Sequence, residues 1–334
     1  MNHVRLAVED GSHVAEARRE AVAMARSLGF DEVRAGAVAL AVTEAATNLI
    51  KHATRGEILA GRIARSDAAG MEFYVIDRGP GIANIAASLR DGVSSAGSPG
   101  LGLGSLTRLT TGFDVYTQRG KGTVLHFEIW AEPRAQGPRD GVHAAAVCVP
   151  KSGEQVAGDT WLLRQGRGRA VLLVADGLGH GPDAAAAAAA ARKYVWTHWE
   201  QEPAELIDGI HHALKSTRGA AAAVVSLKMA SGVGAYCGVG NIACSVRANG
   251  ASRSLVSHNG ILGHNTRKIQ EFSFPFAAGA LLVACSDGIA TRWELDDYPG
   301  LEGRAPALIA GAVYRDHQRG RDDATVAVLR SAGE

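Results

Sequence analysis

Apolar positions along this chain change period in blocks. Over residues 13–28, and again from an Asp31 cap to about residue 52, they recur at helical spacing. A strand precedes the first helix, and strand-like runs follow at 57–64 and 71–77. A Gly/Ser-rich loop at 91–104 leads to a short helix and two more strands near 113–117 and 124–130. The pattern predicts an α+β sandwich with one layer of helices on one sheet. Residues 131–141, AEPRAQGPRDG, interrupt it with Pro, Gly and charge and read as a linker.

Beyond the linker, strands are predicted at 142–149, 160–163 and 170–175, then two long helices at 183–199 and 203–215. Short strands follow at 221–228, 235–239, 243–248 and 280–285, then a helix near Ala305 and a last strand at 325–329. Strands at both ends with helices between them predict two sheets with helices packed outside. Two domains are expected, 1–132 and 142–334, joined by 133–141, and 334 residues is long enough for both cores.

Composition narrows the partners. With 46% hydrophobic and 21% charged residues the chain is globular, and a net charge of +1 provides no field to attract nucleic acid or anionic lipid. Binding must therefore come from specific pockets. Cys148, Cys237, Cys244 and Cys285 form no CxxC pair and no zinc spacing, and read as reduced core residues. No signal-peptide pattern opens the chain and no run approaches the roughly 18 uninterrupted apolar residues of a membrane span, so the expected location is cytoplasmic.

Two constellations carry chemistry. In TEAATNLIKHA, Glu44, Asn48 and His52 are spaced four apart and share one helix face. The strand EFYVID ends in Asp77 and turns at once through Gly79 and Gly81. A carboxylate there can accept a hydrogen bond from an exocyclic amine and leave room for a flat ring. Further on, SAGSPGLGLGSL offers Gly100, Gly102 and Gly104 before a helix, where backbone amides can approach phosphates.

The order of these elements, with GKGT at 120–123 behind them, resembles the GHKL (histidine-kinase-like) ATP-binding fold over nearly all of residues 1–131. The resemblance implies a bound Mg·ATP, with Asn48 on Mg²⁺, Glu44 as general base, and Asp77 on the adenine amino group with support from Thr123. His52, Gly79, Gly81, Gly100, Gly102 and Gly104 would complete the nucleotide site. Only about 40 residues precede Glu44, too few for the hairpin of a sensor histidine kinase. The compact loop and GFDVYTQRGKGTVLHFEIW look like the RsbT-like serine kinases of partner-switching modules, which act on small STAS-domain proteins. His52 in IKHA is more like the related anti-sigma kinases.

The second constellation is a series of aspartates at strand ends or beside glycine: Asp159 in QVAGDTW, Asp176 in VADGLGHG, Asp287 in CSDGIA, and Asp322 with Asp323 in GRDDATV. Converging hard oxygens without Cys or His suit Mg²⁺ or Mn²⁺. Two such ions can share a bridging water and clamp a phosphoryl group for in-line attack. The pattern resembles the PP2C-like phosphatases of the SpoIIE group over roughly 140–331, and CGVGNIA and HNGILG look most like its small RsbX-type members. The resemblance implies an α-β-β-α sandwich and a metal pair held by Asp159, Asp176, the Gly177 carbonyl, Asp287 and Asp322. Asp322 is favoured over Asp323 by motif position, and spacing leaves the choice open. His180 reads equally as an acid or water contact and as a turn residue.

Together these readings predict a bifunctional regulator that phosphorylates and dephosphorylates STAS-domain partners, with a downstream regulator as a further partner. Two rivals are an ATP-holding module that sequesters a partner without phosphotransfer, and a phosphatase whose first half only senses nucleotide.

Overall fold

In a computed structural model describing residues 2–65, 68–89, 103–132 and 141–332, the first sheet is fully antiparallel. Its strands are β1 (Val4–Val8), β2 (Gly56–Arg65), β3 (Ala68–Ile76), β4 (Thr111–Gln118) and β5 (Gly122–Trp130), in the order β1-β2-β3-β5-β4. Alternation along the strands separates two faces. Ile58, Met71, Phe73, Val75, Leu125 and Phe127 on one face share a core with Ala21 of α1 (Gly11–Ser27) and Val38, Val42 and Leu49 of α2 (Glu32–His52). Asp31 caps α2 by accepting the Arg34 N–H at 2.7 Å. Among the described residues α2 is the one helix long and apolar enough to cross a membrane, and its apolar stripe lies in this core. A four-residue helix, α3 (Ile85–Ser88), and α4 (Leu103–Leu109) complete this part.

The other face of the sheet, with Leu59, Tyr74, Ile76, Val124 and Trp130, is buried too. The sequence predicts helices on one side only. The second face is covered by Glu294–Arg315, which packs with residues 3–137 as one compact unit and includes most of a later helix, α7 (Pro306–His317). Gly311 of α7 comes so near that a Cβ there would stand 2.6 Å from Val124 Cγ1 and 3.2 Å from Tyr74 Cδ1. Around it, Arg5 donates to the Tyr314 hydroxyl at 2.8 Å, and Arg304 bonds the Asp114 carboxylate and the Val115 carbonyl.

The other unit holds two more antiparallel sheets. The second sheet, in the order β13-β10-β9-β8-β7, contains β7 (Asp159–Gly166), β8 (Arg169–Gly177), β9 (Ala220–Lys228), β10 (Val233–Val239) and β13 (Phe272–Pro275). The third, in the order β12-β11-β14-β15-β6, contains β6 (Val142–Val149), β11 (Ala243–Ala248), β12 (Ala251–Leu255), β14 (Leu281–Cys285) and β15 (Ala324–Ser331). Leu172, Val174, Val225, Tyr236, Val246, Leu282 and Leu329 fill the space between them. Helices α5 (Pro182–His198) and α6 (Pro203–Ala213) cover the outside of the second sheet through Ala187, Ala191, Val195, Leu206 and Ile210. The alanine run is therefore a core helix, and all four cysteines are buried and free. The edge strands β12 and β13 are additions to the sequence-based assignment.

Candidate active sites

The first site forms where β3 ends. Asp77 follows the strand and exchanges backbone hydrogen bonds with Thr123 at 3.0 and 3.3 Å, extending the β3–β5 ladder. Its carboxylate accepts the Gly79 N–H at 2.6 Å and a hydrogen bond from Thr123. Burial raises the Asp77 carboxyl, and these hydrogen bonds with the nearby Arg315 charge oppose that rise. Gly122 is required here, since a Cβ would lie 2.0 Å from the Asp77 carbonyl oxygen.

The end of α2 abuts the same turn. A Cβ on Gly79 would stand 3.2 Å from the His52 carbonyl oxygen, and one on Gly81 would stand 2.8 Å from the Gln118 carbonyl oxygen. Asp77, Thr123, Gly79 and the last turn of α2 are thus brought together, while Glu44 and Asn48 lie half-buried further back on that helix. Burial raises the Glu44 carboxyl, against the charge of Lys51. The His52 side chain is exposed. Gly104 is buried inside α4, not in a loop ahead of it as the sequence predicts. Gly100 and Gly102 lie outside the described residues. A buried acceptor flanked by positions that tolerate no side chain suits an exocyclic amine on a flat ring.

The second site lies where four strands end. Asp159 opens β7 and stands in register opposite Asp176 of β8. Directly opposed side chains have Cβ atoms about 4.5–5.5 Å apart, and like charges there repel. From the third sheet, Asp287 follows β14 and Asp322 precedes β15. Burial lifts the Asp176 carboxyl to about 9, reinforced by the charges of Asp159, Asp287, Asp322 and Asp323. Burial lifts Asp159 to about 7, opposed by hydrogen bonds from Ser286 and Thr325. Asp287 is raised by burial and by Asp322. Carboxylates that resist one another's ionisation are a place for a cation, and an all-oxygen donor set fits Mg²⁺ or Mn²⁺. As they stand, no three His, Cys, Asp or Glu side chains among the described residues close on one point at metal–ligand spacing. The acids adjoin without forming a finished cage.

Gly177 fits only without a side chain, because a Cβ would lie 2.1 Å from the Ala184 carbonyl oxygen in the first turn of α5. Backbone bonds of 3.0 Å from Gly177 to Gly158 and from Leu178 to Gly219 pin the loop after Asp176 on both sides. His180 is 2.6 Å from Glu154 at the rim.

Sequence reasoning missed the residues that hold these acids. Ser286 donates to Asp159 at 2.6 Å, and Asn241 donates to Asp287 at 2.7 Å. Ser286 stands beside Asp287 in SDG and Asn241 in CGVGNIA, so the motifs contained them, but their partners come from distant strands. Arg315 beside Asp77 had no local signal at all.

Residues 7–129 match the histidine kinase-like ATPase domain, and residues 166–332 match the stage II sporulation protein E (SpoIIE) family. Serine/threonine-protein kinase RsbT of Bacillus subtilis is 32% identical over 107 residues, which are 32% of this chain and 80% of RsbT. Phosphoserine phosphatase RsbX of the same organism is 25% identical over 140 residues, 42% of this chain and 70% of RsbX. A solved chain described as from the bacterial stressosome, a modular system adapted to control secondary messenger signaling, is 26% identical with a TM-score of 0.53, covering 57% of this chain and 100% of its own. The two matches follow the order of the two sites, and the folds are of GHKL and PP2C type. The chain belongs to the SpoIIE family through its second half, a PP2C-type phosphatase domain, fused behind an RsbT-like kinase domain of the histidine kinase-like ATPase fold.

Proposed function

We propose that this chain is a bifunctional partner-switching regulator that both adds phosphate to Ser/Thr of STAS-domain proteins and removes it. The observation that carries the reading is the union in one polypeptide of an RsbT-like and an RsbX-like domain. The substrates are STAS-domain proteins in both phosphorylation states, with a downstream regulator as a further partner; nucleic acid and membrane have no part. A cytoplasmic location accords with this reading.

In the first unit Asp77, backed by Thr123, would accept the adenine amine of ATP, and Asn48 would hold Mg²⁺. Glu44 takes the proton from the attacking hydroxyl as its oxygen bonds the γ-phosphorus and ADP leaves. Burial raises the Glu44 carboxyl and so favours proton uptake. In the second unit Asp159, Asp176, the Gly177 carbonyl, Asp287 and Asp322 would hold two Mn²⁺ or Mg²⁺. Such a pair supplies an activated water and a clamp on the phosphoryl group. Ser286 and Asn241 orient two of the ligands through their hydrogen bonds. Both activities running at once would hydrolyse ATP without result, so the state of the partner selects between them.

A mass-spectrometric time course with a STAS-domain protein, ATP and Mn²⁺ tests this. The wild type should phosphorylate and then clear the partner, Glu44→Ala should leave it unmodified, and Asp176→Asn should let phosphate accumulate. If neither wild type nor Asp176→Asn transfers phosphate, the kinase half falls. If Asp176→Asn clears phosphoserine as fast as wild type, the metal assignment falls.

A further inference from the structure

The start of β9 runs along the carboxylate cleft. Ala220 and Ala221 pair with Gly177 and Asp176, so Arg218 lies two residues outside the ladder that carries Asp176. The loop that bears it is fixed on both sides. The Gly219 carbonyl accepts the Leu178 N–H at 3.0 Å, Ala220 and Leu262 exchange backbone bonds at 3.1 and 2.9 Å, and the Arg218 carbonyl lies 3.0 Å from His264 Nε2. Leu262 of HNGILG and His264 just after it thus hold this loop on one side, and Leu178 holds it on the other.

Gly179, in the loop that follows Asp176, is a backbone neighbour of the guanidinium. A Cβ on Gly179 would be 3.4 Å from Arg218 Nη1, while the Gly179 carbonyl oxygen would be 3.4 Å from a Cβ on Gly158, whose N–H is held by Asp323. Arg218 Nη2 pairs with Asp183 at 2.8 Å, and the two side chains are 51% and 68% exposed. Solvated pairs of this kind are weak. The guanidinium can therefore exchange Asp183 for a stronger anion at little cost. A phosphoryl dianion is such an anion, and its oxygens match the planar fork of arginine.

We propose that Arg218 anchors the phosphoryl group of a phosphoserine substrate at the rim of the metal cleft, with Asp183 holding its place until substrate enters. The proposal rests on the phosphatase reading above. Arg218 selects the phosphorylated side chain and transfers no proton.

Steady-state hydrolysis of a phosphoserine peptide by the full chain with Mn²⁺ tests it. Arg218→Ala should raise KM about 10- to 100-fold with kcat within about threefold of wild type, since uniform binding is lost. Arg218→Lys should fall between, because the ammonium keeps the charge but lacks the fork. Asp183→Asn should lower KM by up to about fivefold by removing the competing anion. Arg167→Ala breaks a similarly exposed pair with Glu200 at the far end of the β7–β8 hairpin and should match wild type. An unchanged KM in Arg218→Ala, or a fall in kcat alone, overturns the proposal. If even the wild type hydrolyses nothing, the phosphatase reading fails, and anisotropy with a labelled phosphoserine peptide and its unphosphorylated twin decides the arginine separately. Arg218→Ala should bind the phosphopeptide at least about tenfold more weakly than wild type, and equal binding, or no preference for it by the wild type, counts against the anchor.

Discussion

The carboxylate of Asp323 accepts the backbone N–H of Gly158 at 2.8 Å, tying the residue before Asp159 to the start of β15. Its other oxygen accepts the Lys151 N–H, also at 2.8 Å, and the residue is 2% exposed. Asp322 is half-buried and accepts the N–H of Asp323 at 3.0 Å. Motif spacing leaves the two as alternatives, and this difference favours Asp322 as the proposed ligand and Asp323 as the brace. Asp322→Asn should reduce Mn²⁺-dependent phosphoserine hydrolysis by at least about 100-fold while melting close to wild type. Asp323→Asn turns an amide donor toward a backbone donor and should destabilise by about 2–3 kcal/mol in a urea titration. The opposite pattern would exchange the two roles.

Asp77 offers a test of nucleotide reading. Asp77→Asn keeps the shape of the side chain but replaces one acceptor with a donor. Affinity for ATP by calorimetry should fall about 10- to 100-fold, and the preference for ATP over GTP should shrink, because guanine presents an acceptor at that edge. Thr123→Val, which removes a supporting hydrogen bond to Asp77, should cost about three- to tenfold. Unaltered ATP binding in Asp77→Asn would remove this residue from the base pocket.

What the sequence carried was mostly local. Glu44, Asn48 and His52 could be placed on one face because helical period is a short-range property, and Asp176 could be placed at a strand end because apolar runs stop at Asp-Gly. The cover on the second face of the first sheet was not local, since Gly311 and Val124 are far apart in sequence. A trace of it existed: MEFYVI in β3 is a continuous apolar run broken by Glu72, as expected for a strand buried on both faces. Strand β12, ASRSL, gave no sign because four of its five residues are exposed. The partners of the acids, Ser286 and Asn241, depend on how two sheets meet at one end, which no window of sequence contains.

The same substitution should act in opposite directions at two helix glycines. Gly36 in α2 has nothing within 4 Å of a built Cβ, so Gly36→Ala should stabilise by about 0.5–1 kcal/mol through helix propensity. Gly311 in α7 gains the same propensity, but its new methyl would meet Val124 Cγ1 at 2.6 Å. Overpacking of this kind costs about 1–3 kcal/mol, so Gly311→Ala should be destabilising on balance. Thermal melts of both variants check the pair. A stabilised Gly311→Ala would mean that α7 does not press on the first sheet.

Glu72 should govern part of the acid limb of stability. It is buried, with Oε1 3.3 Å from His3 Nε2 and Oε2 3.2 Å from His126 Nε2. Burial pushes its carboxyl up, but the hydrogen bonds and charges of His126 and His3 outweigh that and hold it at about 2, against an ordinary 4.5. A carboxyl lowered in the folded state contributes stability that is fully present above its unfolded value and is lost as pH falls through its folded value. The window is therefore about pH 4.5 down to about 2, and the contribution is about 3 kcal/mol. Glu72→Gln should be less stable than wild type by about 2–3 kcal/mol at pH 7, and the gap should close as both are taken toward pH 2. Urea titrations at stepped pH, with hydrogen exchange of the β3 amides to localise the change, measure this. A gap that persists undiminished at pH 2 would show that Glu72 acts through packing and not through its charge.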